Sequence, residues 1–335
     1  MRRGSAVVVV QSILILATAS QGSEYKVKLP PGLQEQAAFT PDDNPLTREK
    51  IALGKQLFWD RRWSRNGAVA CVSCHDPNHG WADPRQFSLT FEGQPTGRHA
   101  STLVNRLFSD RQHRTGERAS LEDQAMKARD QSPELVVKHL GAVPAYQEQF
   151  RKVFGTDLNA EGVAKAIAAY VRTILSGNSP YDRFQAGDTH ALSPAALRGL
   201  GHFEGKSHGQ GCISCHAGFN FTDEGYHNLG VGLDKEDPDL GRYAVTNREA
   251  DKGAFKTPTL RDVARRPPYM HDGSMKTLEE VVAFYNGGGH SNPWLSPLVR
   301  PLNLTASEQA DLVAFLEALT GEVAPEVSSP PKLPQ

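Results

Sequence analysis

The chain carries four cysteines, and they fall in two copies of one arrangement: Cys71, Cys74 and His75 in "ACVSCHDPNHGWAD", and Cys212, Cys215 and His216 in "GCISCHAGFN". A Cys-x-x-Cys pair alone serves zinc ribbons, thioredoxin-like redox sites and iron–sulfur clusters alike. The histidine that follows narrows the chemistry. Two thiols add to the two vinyl groups of one haem, and the adjacent imidazole becomes an axial ligand of its iron. Two disulfides, or one zinc site built from all four thiols, would use the cysteines but explain neither histidine. The spacing therefore predicts two covalently bound haem c groups, with His75 and His216 as iron ligands, and leaves no thiol for a separate redox task.

Each motif needs a helix to hold it. "PLTREKIALGKQLFWD" sets Ile51, Leu53 or Leu57, and Phe58 at helical spacing behind Thr47 as cap. "SPAALRGLGHFEG", capped by Ser193, leads into the second motif. "ALGKQLFWD" and "LRGLGHFEG" match in a rough pattern, which points to a remote internal duplication and two similar modules. "VPAYQEQFRKVFG" closes at Gly155, and "NAEGVAKAIAAYVRTIL" opens at Asn159. "LSGNSPYDRFQAGD" reads as the crossing between modules. The stretch from Phe219 to Gly273 has little apolar periodicity, as functional loops do. Helical order resumes with "TLEEVVAFY", where Thr277 is the cap and Glu280 holds the capping-box position, and with "TASEQADLVAFLEALTG". The tail 323–335, "EVSSPPKLPQ" at its end, reads as disordered.

The first residues, "MRRGSAVVVVQSILILATASQG", have a basic start, an apolar run and small residues at Ala17 and Ala19. They read as a signal peptide over 1–19, followed by an N-terminal extension over 20–44. The apolar run is short for a stable membrane span, with an uncleaved anchor as the alternative, and no later segment approaches that length. The expected location is the periplasm. A formal net charge of −1 argues against a nucleic-acid partner.

Taken together, "LGKQLFWDRRWSRNGAVACVSCHDPNHGWAD", "GRHASTLVN", "SLEDQA", "ILSGNSPYDRF", "GCISCHAGFNFTDEGYHNLGVG" and "GAFKTPTLRDVARRPPYMHDGSMKTLEEVVAFYNGGG" resemble the di-haem cytochrome c peroxidases, and more closely their MauG-like branch. The resemblance spans nearly all of the chain after the leader. It implies a mainly α fold of two cytochrome-c-like domains with one haem each. The domain over 45–184 would meet peroxide, and that over 185–322 would transfer electrons.

The same resemblance assigns further roles. Fourteen residues after His271 stands Tyr285, the implied sixth ligand of the second haem iron, with Met275 and Met270 as rivals. A phenolate favours ferric iron and a low potential, whereas a thioether raises it. At the first haem, the loop histidine of resting family peroxidases corresponds to Phe91, which implies an open distal face. His79, His99 and His113 are the nearby imidazoles. Gln124 matches the family's catalytic Gln, and the acid ten residues on falls on Glu134 by count or on Asp130. Arg114 stands where the family has a Trp between the haems. The family's calcium site maps to His99 and to the carbonyls of Arg266 and Pro268, which sets a cation beside any Ca2+. Arg261 is a candidate propionate partner, with surface pairing as the other reading. Trp59, Trp63 and Trp81 read as packing, Trp81 also as a ring neighbour able to carry an electron.

Three functions follow. One is an enzyme that reduces hydrogen peroxide with electrons from a small cytochrome c or cupredoxin, or from an oxidisable protein substrate. The others are a di-haem electron carrier without peroxidase turnover and a haem-based sensor. Tyr285 favours a protein substrate within the first.

Overall fold

The structure is a computed structural model and describes residues 24–127, 132–206 and 208–335, so the leader and Asp130 lie outside it. Its longer elements are α1 (Arg48–Trp59), α2 (Leu121–Met126), α3 (Pro133–Gly141), α4 (Pro144–Phe154), α5 (Ala160–Val171) and α6 (Pro180–Gln185). They continue with α7 (Pro194–Phe203), β1 (Tyr226–Asn228), α8 (Tyr243–Thr246), β2 (Ala254–Lys256), α9 (Leu278–Asn286), α10 (Ala306–Glu317) and α11 (Pro325–Ser328). The fold is mainly helical. β1 and β2 form an antiparallel pair inside the long loop region, with His227 opposite Phe255.

Local chemistry sets the helix starts. The side chains of Thr47, Asn159, Ser193 and Thr277 each accept a backbone N–H of the first turn, offsetting donors that have no partner within the helix. Gly155 closes α4 in the left-handed region at φ 70°. Glu280 departs from the capping box: its carboxylate takes the N–H of Lys276, one residue before the cap.

Two hydrophobic cores form, and the same device builds both. In the first, Leu53, Leu57 and Phe58 of α1 pack on Val163 and Ile167 of α5. In the second, Leu200 and Phe203 of α7 pack on Leu312 and Phe315 of α10. Each crossing is close because a glycine sits in it. A Cβ at Gly54 would stand 1.8 Å from the Ala166 carbonyl oxygen, and one at Gly199 would stand 2.0 Å from that of Asp311. Gly54 and Gly199 occupy equivalent places in the matched strings, as do Phe58 and Phe203. The internal match is thus a packing match: a backbone-to-backbone crossing just before each haem motif.

The chain ends do not stay with their neighbours in sequence. Pro31 in the extension accepts Asn178 N at 2.8 Å, which ties residues 30–32 to the crossing between modules. The tail 323–335 is ordered, contrary to the sequence reading. Val323 and Val327 pack on the first core, and the Val327 carbonyl accepts the Tyr170 hydroxyl at 2.8 Å. Lys55 donates to Glu326 O and Arg62 to Pro334 O. Proline and serine in a short string say nothing about partners far off in sequence, and those partners fix this tail.

Candidate haem-binding sites

The two motifs adopt one geometry. Cys71–Ser73 and Cys212–Ser214 each form a single 3-10 turn, and His75 N and His216 N each donate to the carbonyl of the first cysteine, at 3.1 and 2.9 Å. The chain then doubles back. His75 Nδ1 donates to the Trp81 carbonyl at 3.2 Å, and His216 Nδ1 to the Phe221 carbonyl at 3.0 Å. Both acceptors belong to bulky residues in the left-handed region, Trp81 at φ 60° and Phe221 at φ 51°. That conformation costs about 1–3 kcal/mol per residue, and at both sites it turns the carbonyl toward the imidazole. An Nδ1–H held this way leaves the lone pair on Nε2, the tautomer a metal-ligating histidine needs. Burial holds both imidazoles neutral, lowering His75 and taking His216 to about 4.

The thiols fit a haem better than a zinc ion. Among the described residues no cluster of metal-binding side chains gathers more than one of the four cysteines, so a four-thiol zinc site does not form, and burial pushes Cys71 and Cys212 up to about 12 and Cys215 to about 11. None of the four cysteines is in a disulfide. Cys71, Cys74 and His75 would hold one haem, and Cys212, Cys215 and His216 the other.

A cavity with about 1600 Å3 of protein-free space, partly open to solvent, adjoins the second motif. Cys212, Cys215 and His216 line it together with Tyr285, Arg114 and Arg266, and most of its wall is apolar. Tyr285 is brought there by α9, where burial raises its hydroxyl above the usual tyrosine range. Met270 also lines the cavity. Met275 is not among the residues that line it, and its carbonyl accepts the Tyr269 N–H at 2.7 Å.

Arg261 meets a carboxylate of the protein itself. Its guanidinium is 1 % exposed and forks onto Asp182 at 2.8 and 3.0 Å, while donating to Phe219 O and Gly32 O. It ties these segments together, with four of its five N–H donors committed and its charge met by Asp182 rather than by a propionate. The sequence showed an arginine but not the carboxylate it would meet.

The calcium mapping converges in space yet does not fit the ion. His99, Arg266 and Pro268 do share the cavity wall, but the His99 carbonyl accepts Arg114 Nε at 2.8 Å. Ca2+ takes six to eight oxygens, and here two guanidiniums would stand beside it.

Around the first motif a shallow groove runs past Val72, Ser73, Arg85 and Phe91. Phe91 lies under the Arg65 guanidinium, 5.4 Å from its ring centre. The nearby imidazoles are placed elsewhere: His79 on Asp76 at 3.1 Å, His113 near Glu117 at 3.6 Å, and His99 in the junction cavity. Gln124 sits in α2 with its Oε1 buried and without a donor, a group that calls for a partner. Glu134 is exposed in the first turn of α3. Trp81 is buried against Phe58 and Tyr170, at 6.1 and 6.3 Å between ring centres.

Comparison with known proteins finds relatives along nearly the whole chain. The family model for di-haem cytochrome c peroxidase matches residues 48–190. Cytochrome-c peroxidase IdrP1 of Denitromonas iodatirespirans is 38 % identical over 96 % of this chain and 95 % of its own. Methylamine utilization protein MauG of Methylorubrum extorquens is 41 % identical over 88 % of this chain and 84 % of its own. A solved MauG-like protein associated with microbial copper homeostasis superposes with a TM-score of 0.83 at 30 % identity, over 92 % of this chain and 99 % of that one.

Proposed function

The chain belongs to the di-haem cytochrome c peroxidase family, and from that premise we propose that this peroxidase-type oxidoreductase reduces hydrogen peroxide at the haem held by His75 and draws electrons through the haem held by His216 from an oxidisable protein substrate. The observation that carries the reading is Tyr285 on the cavity wall that also holds His216. When bound, haem supplies the iron that exchanges electrons and takes oxygen from peroxide. The protein's residues do the rest. Trp81 O and Phe221 O fix the two imidazole tautomers. Gln124 offers an uncommitted amide oxygen to orient a peroxide proton. Tyr285 would offer its phenolic oxygen to the second iron, and the low potential such a ligand implies would suit sharing oxidising equivalents more than accepting electrons from an ordinary cytochrome. Among the relatives, MauG is named for methylamine utilization and IdrP1 as a cytochrome-c peroxidase.

No helix among the described residues is long and apolar enough to cross a membrane. We base the proposal of a periplasmic location on the reading of residues 1–19 as a signal peptide. Electron paramagnetic resonance and absorption of the purified ferric protein, before and after stoichiometric peroxide, test the proposal. One high-spin and one low-spin haem, with spectra that peroxide changes, are expected. Two low-spin haems unmoved by peroxide would overturn it.

A further inference from the structure

Two arginines on the wall of the junction cavity carry charge that the protein leaves uncompensated. Arg114 donates through Nε to His99 O at 2.8 Å, and Arg266 reaches the Thr259 carbonyl through one terminal nitrogen. Arg266 is 9 % exposed, and its Nε is buried with no acceptor. Neither guanidinium makes an ion pair among the described residues. The carboxylates nearby are spoken for: Asp239 by Arg98 at 2.6 Å, Asp272 by Lys235 at 3.0 Å, and Asp182 by Arg261 at 2.8 Å. Asp262 Oδ1 accepts Gly321 N at 2.8 Å and stands 3.9 Å from Arg265. His99 and His271 face the same space, each taken by burial to about 4 and so uncharged. Burial and mutual repulsion together lower Arg114 to about 9.

A buried charge without a counter-ion costs several kcal/mol, and two side by side repel as well. An anion seated between the two would offset that cost. The rest of the wall selects that anion. Leu260, Val263, Val282 and Leu312 make it apolar, while Cys212 and Cys215 stand ready for covalent attachment. A ligand with a broad apolar body and carboxylates at one edge matches both ends of the cavity.

We propose that Arg114 and Arg266 form a carboxylate clamp for the propionates of the haem attached at Cys212 and Cys215, and that this guanidinium pair stands in place of a divalent cation at the junction of the two modules. The clamp rests on the reading that the second motif holds a haem. A guanidinium forks onto carboxylates in a plane, so the pair would fix the ring's orientation as well as its charge. Reduction adds negative charge at the iron, which nearby cations stabilise, so loss of either arginine makes reduction harder.

The test uses the holo-protein and four single variants: Arg114→Met, Arg266→Met, Arg114→Lys and Arg266→Lys. Haem content by the pyridine haemochrome assay is read first, because fewer than two haems per wild-type chain would overturn the underlying reading and not the clamp itself. Spectroelectrochemical titration then follows each haem. The expected result is a more negative potential of the His216 haem in both Met variants, with partial recovery in the Lys variants. Should the Met variants fail to fold, the Lys variants still report, since they keep the charge and lose the fork that sets the ring's orientation: a ferric resonance of the His216 haem identical to wild type in both would overturn the clamp. Unchanged potentials in the Met variants, or a shift confined to the His75 haem, would also overturn it. In the wild type, elemental analysis should find no bound calcium and chelator should leave the spectra unmoved. One tightly held calcium per chain, whose removal shifts a haem spectrum, would refute the replacement.

Discussion

Replacing Arg261 by methionine separates a structural arginine from a haem-binding one. The side chains of Arg261 and Asp182 are 1 % and 2 % exposed, and the fork between them joins the segment after the second motif to the start of α6. Two further donations, to Phe219 O at 2.8 Å and Gly32 O at 3.0 Å, draw in the loop beside His216 and the N-terminal extension. Arg261→Met removes all four bonds and leaves Asp182 buried and negative. Ser179 softens the loss, since its N–H and hydroxyl still donate to the carboxylate at 2.9 and 2.8 Å. Breaking a buried pair from one side costs about 3–5 kcal/mol, and the lower half of that range is expected here because of Ser179. Guanidinium chloride unfolding at neutral pH, followed by Soret absorption and tryptophan fluorescence, measures it. The double variant Arg261→Met, Asp182→Leu should regain part of the loss, since no buried charge is then stranded. A cost below about 1 kcal/mol would refute the reasoning. So would a shifted haem potential at unchanged stability, because that would return Arg261 to a propionate.

Three other outcomes are expected. Tyr285→Phe should convert the His216 haem from low-spin to high-spin in its ferric resonance and raise its potential, and an unaltered spectrum would exclude Tyr285 as a ligand. Asp60 is held below its ordinary value of 3.8: burial alone would raise it, but hydrogen bonds from Arg62 and Tyr146 outweigh burial. Its folded value being the lower one, the stabilisation is complete above about pH 4 and fades as pH falls through the folded value. Asp60→Asn should therefore cost about 1–3 kcal/mol at pH 7, a gap that closes in acid, and a gap independent of pH would contradict this. Truncation after Glu322 removes the apolar contacts of Val323 and Val327 and the acceptor of the Tyr170 hydroxyl. A loss of roughly 2–4 kcal/mol is expected in the same unfolding assay, with easier acrylamide quenching of Trp59, and an unchanged midpoint would show the tail to be dispensable.

Local signals in the sequence carried far. The caps at Thr47, Asn159, Ser193 and Thr277 were legible because capping depends on residues within one turn. So were the two haem motifs, whose spacing is their chemistry. The features that escaped depend on encounters across the chain. Nothing near Arg261 announces Asp182, and nothing in "PEVSSPP" announces Lys55 or Tyr170. The positive φ of Trp81 and Phe221 was hidden because neither residue type favours it, and the demand comes from the imidazole each carbonyl must meet. The repeated glycine in "ALGKQLFWD" and "LRGLGHFEG" was the one long-range contact with a visible mark. It was visible only as similarity, before the crossing gave it a cause.

The seat of the C-terminal segment on the first module means that this module is not finished by its own stretch of sequence. Lys55, Arg62 and Tyr170 find their acceptors at Glu326, Pro334 and Val327, beyond the whole of the second module. A fragment that holds α1, the first motif and α5 alone would keep Cys71, Cys74 and His75 but leave those three donors, and the apolar surface under Val323 and Val327, uncovered. The two modules therefore share one closure, and neither can be cut away without opening the other.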